Sequence, residues 1–291
     1  NINTYNVSVI QFPHVFYVAA ETRIVNGTDA KEGEFPYAVS LRRNSSHTCG
    51  GTILNEKFIL TAAHCVCDNA KPYDNSLFSI QYDMIEIEKA PTNTVNVKKI
   101  NCHKFSSEKL IYDAAVLELE KSIPKGLWAP VKLSRKFVTD QTQKGTIIGW
   151  GRIHHGGPIS KTLQKMEVEI YDDKTCGKNL TTNTTFALVP LLEEPVTFSV
   201  NNRAGRNQRE WVGSRSRYGL EECLGSVGCA QQRSNYTKPC GDSGTALVVD
   251  GVQVGIASFI TEACGTANKQ HPNVYSRIST YYKWIAEVAG L

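Results

Sequence analysis

The chain has 291 residues, 41% of them hydrophobic, enough to bury a large core. Its net charge of +4 gives no reason to expect a nucleic-acid or membrane-surface partner, and no apolar run approaches the length of a membrane span. Nine cysteines and six Asn-x-Ser/Thr sites, at Asn6, Asn26, Asn44, Asn179, Asn183 and Asn235, point to an oxidising, extracellular setting.

Taken in chain order, residues 1–20 close with Val15-Phe16-Tyr17-Val18-Ala19-Ala20, the small-residue ending of a signal peptide, but lack an initiator Met and a basic leading region. A truncated signal and an upstream extension both fit. Short alternating segments at 57–61, 146–150, 247–249 and 252–257, bounded by Gly, Asn and Asp, read as strands. Helical period is weak until 279–288, an expected amphipathic helix. After the first strand, Thr61-Ala62-Ala63-His64-Cys65 sets a histidine beside a cysteine. Further on, Tyr112-Asp113-Ala114-Ala115 sets a lone aspartate just before an apolar strand-like run, where its carboxylate can be buried at the strand's mouth. His154 and His155 lie in a Gly-rich turn and read as solvated loop residues; no metal-ligand cluster and no internal repeat is apparent. Residues 186–235 are aperiodic and include Arg203-Ala204-Gly205-Arg206-Asn207-Gln208-Arg209, read first as a solvated face and second as a site for a heparin-like anion.

The densest signal is Gly241-Asp242-Ser243-Gly244. A serine hydroxyl is a poor nucleophile unless a base takes its proton, and flanking glycines let backbone amides approach a developing oxyanion. His64 supplies a candidate base, and Asp113 can accept its ring N–H, fix the tautomer and stabilise the imidazolium.

With these residues in view, the chain resembles the chymotrypsin-like serine proteases from Ile24 to its end. Ile24-Val25-Asn26-Gly27 looks like that family's mature N-terminus, Cys49-Gly50-Gly51-Thr52 like its early strand, Gly149-Trp150-Gly151 like its mid-chain turn, and Trp284-Ile285 like part of its final helix. The resemblance implies an all-β fold, two packed antiparallel six-stranded β-barrels with a C-terminal α-helix, and an active site in the cleft between them. It implies a signal remnant or propeptide at 1–23 and a protease domain at 24–291, with an atypical insertion at 186–235. His64, Asp113 and Ser243 would be the catalytic residues, the Gly241 and Ser243 amides the oxyanion hole, and no cofactor or metal would be needed. Disulfides Cys49–Cys65 and Cys240–Cys264 are implied, with Cys176 pairing Cys229 in preference to Cys223. Cys67 and Cys102 lack a counterpart in the family and are expected to bridge each other beside the site.

By the same resemblance, cleavage after Arg23 by a trypsin-like activating protease would free the Ile24 ammonium to pair with Asp242. Thr237 stands where trypsin-like members carry a pocket aspartate, so an Arg/Lys preference is not expected. The pocket wall at Ser258, Phe259 and Ile260, with Asn273 opposite, puts bulk where a large pocket needs glycine. A small-apolar, elastase-like preference follows, with a chymotrypsin-like one second. Expected partners of this secreted monomer are protein and peptide substrates and protein protease inhibitors, with no nucleic acid and no membrane.

Three departures from the family pattern sustain a second reading, a catalytically impaired homologue acting as a binding protein. Cys240 touches Gly241 directly, where the family interposes a residue; the stretch from Cys176 to Cys240 is far longer than usual; and Thr245-Ala246 replaces a common Gly-Pro. A retained intron or reading-frame anomaly and a genuine insertion remain alternative accounts of residues 186–240.

Overall fold

The computed structural model describes residues 27–88, 90–107, 111–136, 144–151, 158–171, 227–232, 242–260 and 273–291, with backbone alone at 171, 227–232 and 260. After a short β1 (Thr28–Asp29), the strands β2 (Ala38–Arg43), β3 (Ser46–Asn55) and β4 (Phe58–Thr61) follow as a meander. A small hairpin of β5 (Cys67–Asp68) and β6 (Lys71–Pro72) then leads to β7 (Phe78–Gln81), β8 (Thr94–Cys102) and β9 (Ala115–Leu119). Strands β2, β3, β4, β9, β8 and β7 pair in that order, and β7 returns to β2, so the sheet closes into a barrel.

Sequence pattern and local chemistry account for these strands. In β8, Val95, Val97 and Ile100 are buried while Thr94, Asn96, Lys98 and Lys99 face out. The two consecutive outward lysines fall where the register with β9 shifts, because a bulge adds a residue and restores the inward face at Ile100. Asn44 and Ser45 join β2 to β3 with φ of 49° and 64°, a two-residue turn whose left-handed backbone matches strand twist and suits asparagine.

The second half contributes β10 (Lys132–Leu133), β11 (Lys144–Gly149), β12 (Gln164–Tyr171), β13 (Val227–Gln232), β14 (Ala246–Val249), β15 (Val252–Ile260) and β16 (Asn273–Arg277). They run β12, β11, β14, β15, β16, β13 across an eight-stranded sheet, and β13 pairs back with β12. Six strands thus form a second ring, with β1 and β10 added at β12 and β15. The strand that completes the ring lies inside the span expected as an insertion: 227–232 pairs on one side with 168–171 and on the other with 273–276.

The chain ends in α1 (Ile278–Ala289), one residue longer at each end than the sequence expectation. Ile278, Tyr281, Ile285 and Ala289 recur at helical spacing and are buried, and the helix stops at Gly290, whose φ of 68° satisfies the last turn. Although α1 follows the second ring, its buried face joins the core of the first barrel with Ile59, Leu117 and Leu119. Asn55 reinforces this docking: its side-chain amide donates to Ala289 O at 2.9 Å.

Hydrogen bonds cross between the halves close to the serine motif. Gly50 N–H in β3 donates to Ser243 O at 2.8 Å, and the buried Thr52 hydroxyl donates to Gln253 Oε1 in β15 at 2.8 Å. A side chain at Gly50 would overlap the Thr245 Cγ methyl, so the halves meet there without room for one more carbon. Gly50→Ala should therefore destabilise the fold by about 1–3 kcal/mol through overpacking. Thr245→Ser, which removes that methyl and keeps the hydroxyl, should recover part of the loss in the double variant; urea denaturation of all four proteins would show non-additive changes, and additive ones would disprove the contact.

Candidate active site

Asp113 heads the site because a buried carboxylate must find partners for its charge. It is 1% exposed and stands just before β9, where Tyr112 takes a left-handed φ of 58° and Ala114 N–H closes a tight turn on Tyr112 O at 2.9 Å. That turn aims the carboxylate at a short 3-10 turn, Ala63–Cys65, which follows β4. One oxygen accepts the His64 main-chain N–H at 2.8 Å; the other pairs with His64 Nδ1 at 2.7 Å and also accepts the Ser258 hydroxyl.

The electrostatics follow from this geometry. For His64, burial is the largest effect and works against protonation, but the charge of Asp113 and its hydrogen bond outweigh it, so the imidazole pKa stands above its ordinary 6.5. For Asp113, burial pushes upward, yet the His64 charge and hydrogen bond, the Ser258 hydroxyl and the His64 N–H together hold the carboxyl below its usual value.

Ser243 enters from the other half of the molecule, immediately before β14. Its carbonyl is held by Gly50, Gly244 N–H donates to Ala257 O at 2.8 Å, and Thr245 caps the turn by donating both its N–H and its hydroxyl to Asp242 O, at 2.9 and 2.6 Å. Gly244 has a φ of 84°, and a side chain there would overlap Thr61 Oγ1 and the Gly50 carbonyl; the serine turn sits directly against the segment leading to His64. The outer ring nitrogen, His64 Nε2, lies 3.7 Å from Cys65 Sγ, and among the described residues no hydrogen bond joins the His64 ring to the Ser243 hydroxyl. Cys49, His64 and Cys65 cluster donor atoms within 4.8 Å, but both sulfurs are committed to a disulfide and offer no thiolate to a metal.

Asp242 is turned away from this surface and buried. Gly151 N–H donates to its Oδ1, while its Oδ2 has no hydrogen-bond partner among the described residues. A side chain at either Gly149 or Gly151 would overlap this carboxylate, so both glycines of Gly149-Trp150-Gly151 are needed for its seat. Burial raises its pKa to about 7 against the opposing Gly151 bond.

Of the residues singled out in the sequence, His64 and Asp113 are in direct contact, the turn of Ser243 packs against Gly50 and Thr61, and Asp242 is seated at Gly149 and Gly151. Ser258, expected in the pocket wall, donates its hydroxyl to Asp113. Asn273 is buried and pairs in register with Ile260, and with Ala230 on its other side. The Cys49–Cys65 and Cys67–Cys102 disulfides are both present. Cys229 lies in β13, opposite Tyr171 and Val274. Arg23, Ile24, Cys176, Thr237, Cys240, Gly241 and Cys264 fall outside the described residues. Ser258 as a carboxylate partner, and the Gly149 and Gly151 seat of Asp242, escaped sequence reasoning; the only hint of the latter was two glycines flanking one tryptophan.

Known proteins resemble this chain. The Trypsin family profile matches residues 24–191 and 206–285. Chymotrypsin-2 of Vespa crabro is 29% identical over 264 residues, spanning 90% of this chain and 98% of its own, and Serine protease SP24D of Anopheles gambiae is 28% identical over 264 residues, spanning 90% and 80%. Among solved structures, neuropsin, a serine protease of mouse brain, superposes with a TM-score of 0.67 at 22% identity, covering 91% of this chain and 99% of that one. Human heparin binding protein gives 0.65 at 19% identity, covering 91% and 96%.

The His64–Asp113 contact has a checkable signature. Because the folded pKa of His64 is raised, the pair's stabilisation is complete below 6.5 and is lost as pH rises through the folded midpoint. Asp113→Asn should lower the His64 titration midpoint in NMR spectra; an unchanged midpoint would show that the carboxylate does not hold the imidazole's proton.

Proposed function

The chain belongs to the trypsin family of serine proteases, and on that premise we propose that it is a secreted serine endopeptidase, made as a zymogen and acting without a cofactor. The observation that carries this reading is the pairing of a buried Asp113 with His64 beside the docked turn of Ser243. In the proposed reaction His64 Nε2 takes the Ser243 proton as Ser243 Oγ attacks a peptide carbonyl, and the Asp113 carboxylate stabilises the imidazolium. The tetrahedral oxyanion is held by the Gly241 and Ser243 main-chain amides, an interaction whose loss typically costs about 2.7–4 kcal/mol in acyl-transfer enzymes. The imidazolium returns its proton to the departing amine, and a water then releases the acyl group from Ser243 by the same steps. Rotation of the Ser243 hydroxyl toward Nε2 precedes attack, as catalytic hydrogen bonds often tighten only with substrate bound.

Asp242 supports the activation step. A buried carboxylate with one oxygen unpartnered among the described residues suits an incoming cation, and cleavage after Arg23 by a trypsin-like protease frees such a cation at Ile24. The proposed mature domain is 24–291, after a propeptide at 1–23; the family match beginning at residue 24 supports where the domain starts. Within 186–235, the part before β13 is the proposed insertion. Thr237, Ile260 and Asn273 support a pocket that favours small apolar side chains, elastase-like, or else chymotrypsin-like. Two disulfides and the Asn44-Ser45-Ser46 sequence on an exposed hairpin tip support a secreted glycoprotein, and among the described residues no helix is long and apolar enough to cross a membrane. Protein protease inhibitors are proposed partners of the same cleft.

Two experiments test these steps separately. After cleavage at Arg23, a fluorophosphonate should label the protein at Ser243, and Ser243→Ala should abolish labelling; a folded, processed protein that stays unlabelled would instead favour a binding homologue. In the uncleaved chain, ionising Asp242 opposes folding, since its stability contribution is present below its ordinary 3.8 and is lost as pH rises through about 7. Asp242→Asn should therefore stabilise the uncleaved protein above that range, leave it nearly unchanged below pH 3.8, and prevent activation after cleavage. Equal denaturation midpoints for the two uncleaved proteins at alkaline pH would refute the buried-charge account.

A further inference from the structure

The segment carrying His64 is an arc with two feet on a single residue. It leaves β4 at Thr61, which pairs in register with Ala115, the first residue of β9. It ends at Cys67, whose disulfide partner Cys102 is the last residue of β8 and also pairs with Ala115, from the opposite side. Asp113 lies two residues before Ala115. The first foot is held by a ladder of hydrogen bonds, the second by a covalent bond.

The far end of that bond is itself anchored around Asp113. The residue after Cys102, His103, donates its main-chain N–H to Ala114 O at 3.2 Å. Its ring lies among Tyr112, Tyr281 and Trp284, at centroid distances of 5.6, 5.4 and 4.8 Å. Cys102 is thus fixed to both neighbours of Asp113 and to α1. The other ties at the second foot are local: Val66 and Cys67 are buried, Cys67 pairs with Pro72 in the small hairpin, Tyr73 N–H donates to Val66 O at 2.9 Å, and the half-buried Ser107 meets Asp68 and Asn69 through its hydroxyl and N–H at 2.8 and 3.0 Å. The two bonds to Ser107 are exposed, compete with water and hold the segment weakly. The other disulfide, Cys49–Cys65, ties the arc to β3, which does not pair with β9.

We propose that Cys67 and Cys102 are positioning residues for the proton-transfer pair: their bridge closes the arc onto the strand that Asp113 leads into and thereby holds the His64 ring and main-chain N–H on the two carboxylate oxygens. The inference rests on the reading of His64 and Asp113 as the catalytic pair. A displacement of even a fraction of an ångström at such a contact degrades both the hydrogen bond and the orientation of the imidazole toward the serine.

The test is the full chain carrying Cys67→Ala and Cys102→Ala together, with Cys67→Val and Cys102→Ala as a second version that refills the buried space at Cys67. In either variant the NMR titration midpoint of His64 should fall toward that of Asp113→Asn. In the cleaved protein kcat should drop about tenfold or more with KM within about twofold, the signature of a lost positioning interaction rather than lost substrate binding. A bridge with a merely structural role would lower the melting temperature and leave the His64 midpoint and kcat unchanged, and that result would overturn the proposal. Should neither variant fold, the same titration on the wild-type chain after mild reduction, with the opened bridge mapped by mass spectrometry, separates the same two outcomes: a lowered midpoint supports the positioning role and an unchanged one overturns it. The His64 titration needs no proteolytic activity, so failure of the protease reading and failure of this one are told apart.

Discussion

A single carboxylate, Asp113, organises the molecule. Taken out of water, it can stay ionised only if the fold surrounds it with donors, and the three it has come from two places: the His64 turn after β4 and Ser258 in β15. The two rings therefore meet on one charge. The glycine seam at Gly50, the Thr52–Gln253 hydrogen bond and the turn of Ser243 against Thr61 all lie along the same contact, so a shift between the halves is felt at the carboxylate first.

Asp242 shows the opposite treatment of a buried acid. Among the described residues Asp113 is given three donors and held below its usual pKa, while Asp242 is given one and pushed up to about 7. Two carboxylates in one fold are thus kept in contrasting states by their surroundings alone. Gly149 and Gly151 make the second state possible, since any side chain there would displace the carboxylate from its seat.

The parts of this arrangement that can be read from the sequence are the local ones. The His64 and Ser243 motifs, the lone Asp113 before an apolar run, and the Asp250-Gly251 turn between 247–249 and 252–257 each announce themselves within a few residues, because capping, turn and alternation chemistry act at short range. What escapes is set by distance along the chain. Ser258 reaches Asp113 across 145 positions, and nothing near either residue signals the bond. Strand β13 escapes for another reason: Val227–Gln232 has Gly, Cys, Ala and two glutamines, too little β-branched or aromatic character to stand out from the aperiodic residues before it, and it is a strand because β12 and β16 offer edges on both sides.

The terminal helix carries a consequence for how the chain is made. Its buried face belongs to the core of the first barrel, yet it follows the strands of both rings in chain order. A ribosome releasing the chain from its N-terminus would present all six strands of that barrel long before the residues that complete their core. Until those residues emerge, the surface that Tyr281 and Ile285 cover stays bare. The first barrel's core is thus completed by α1 and not by its own six strands alone.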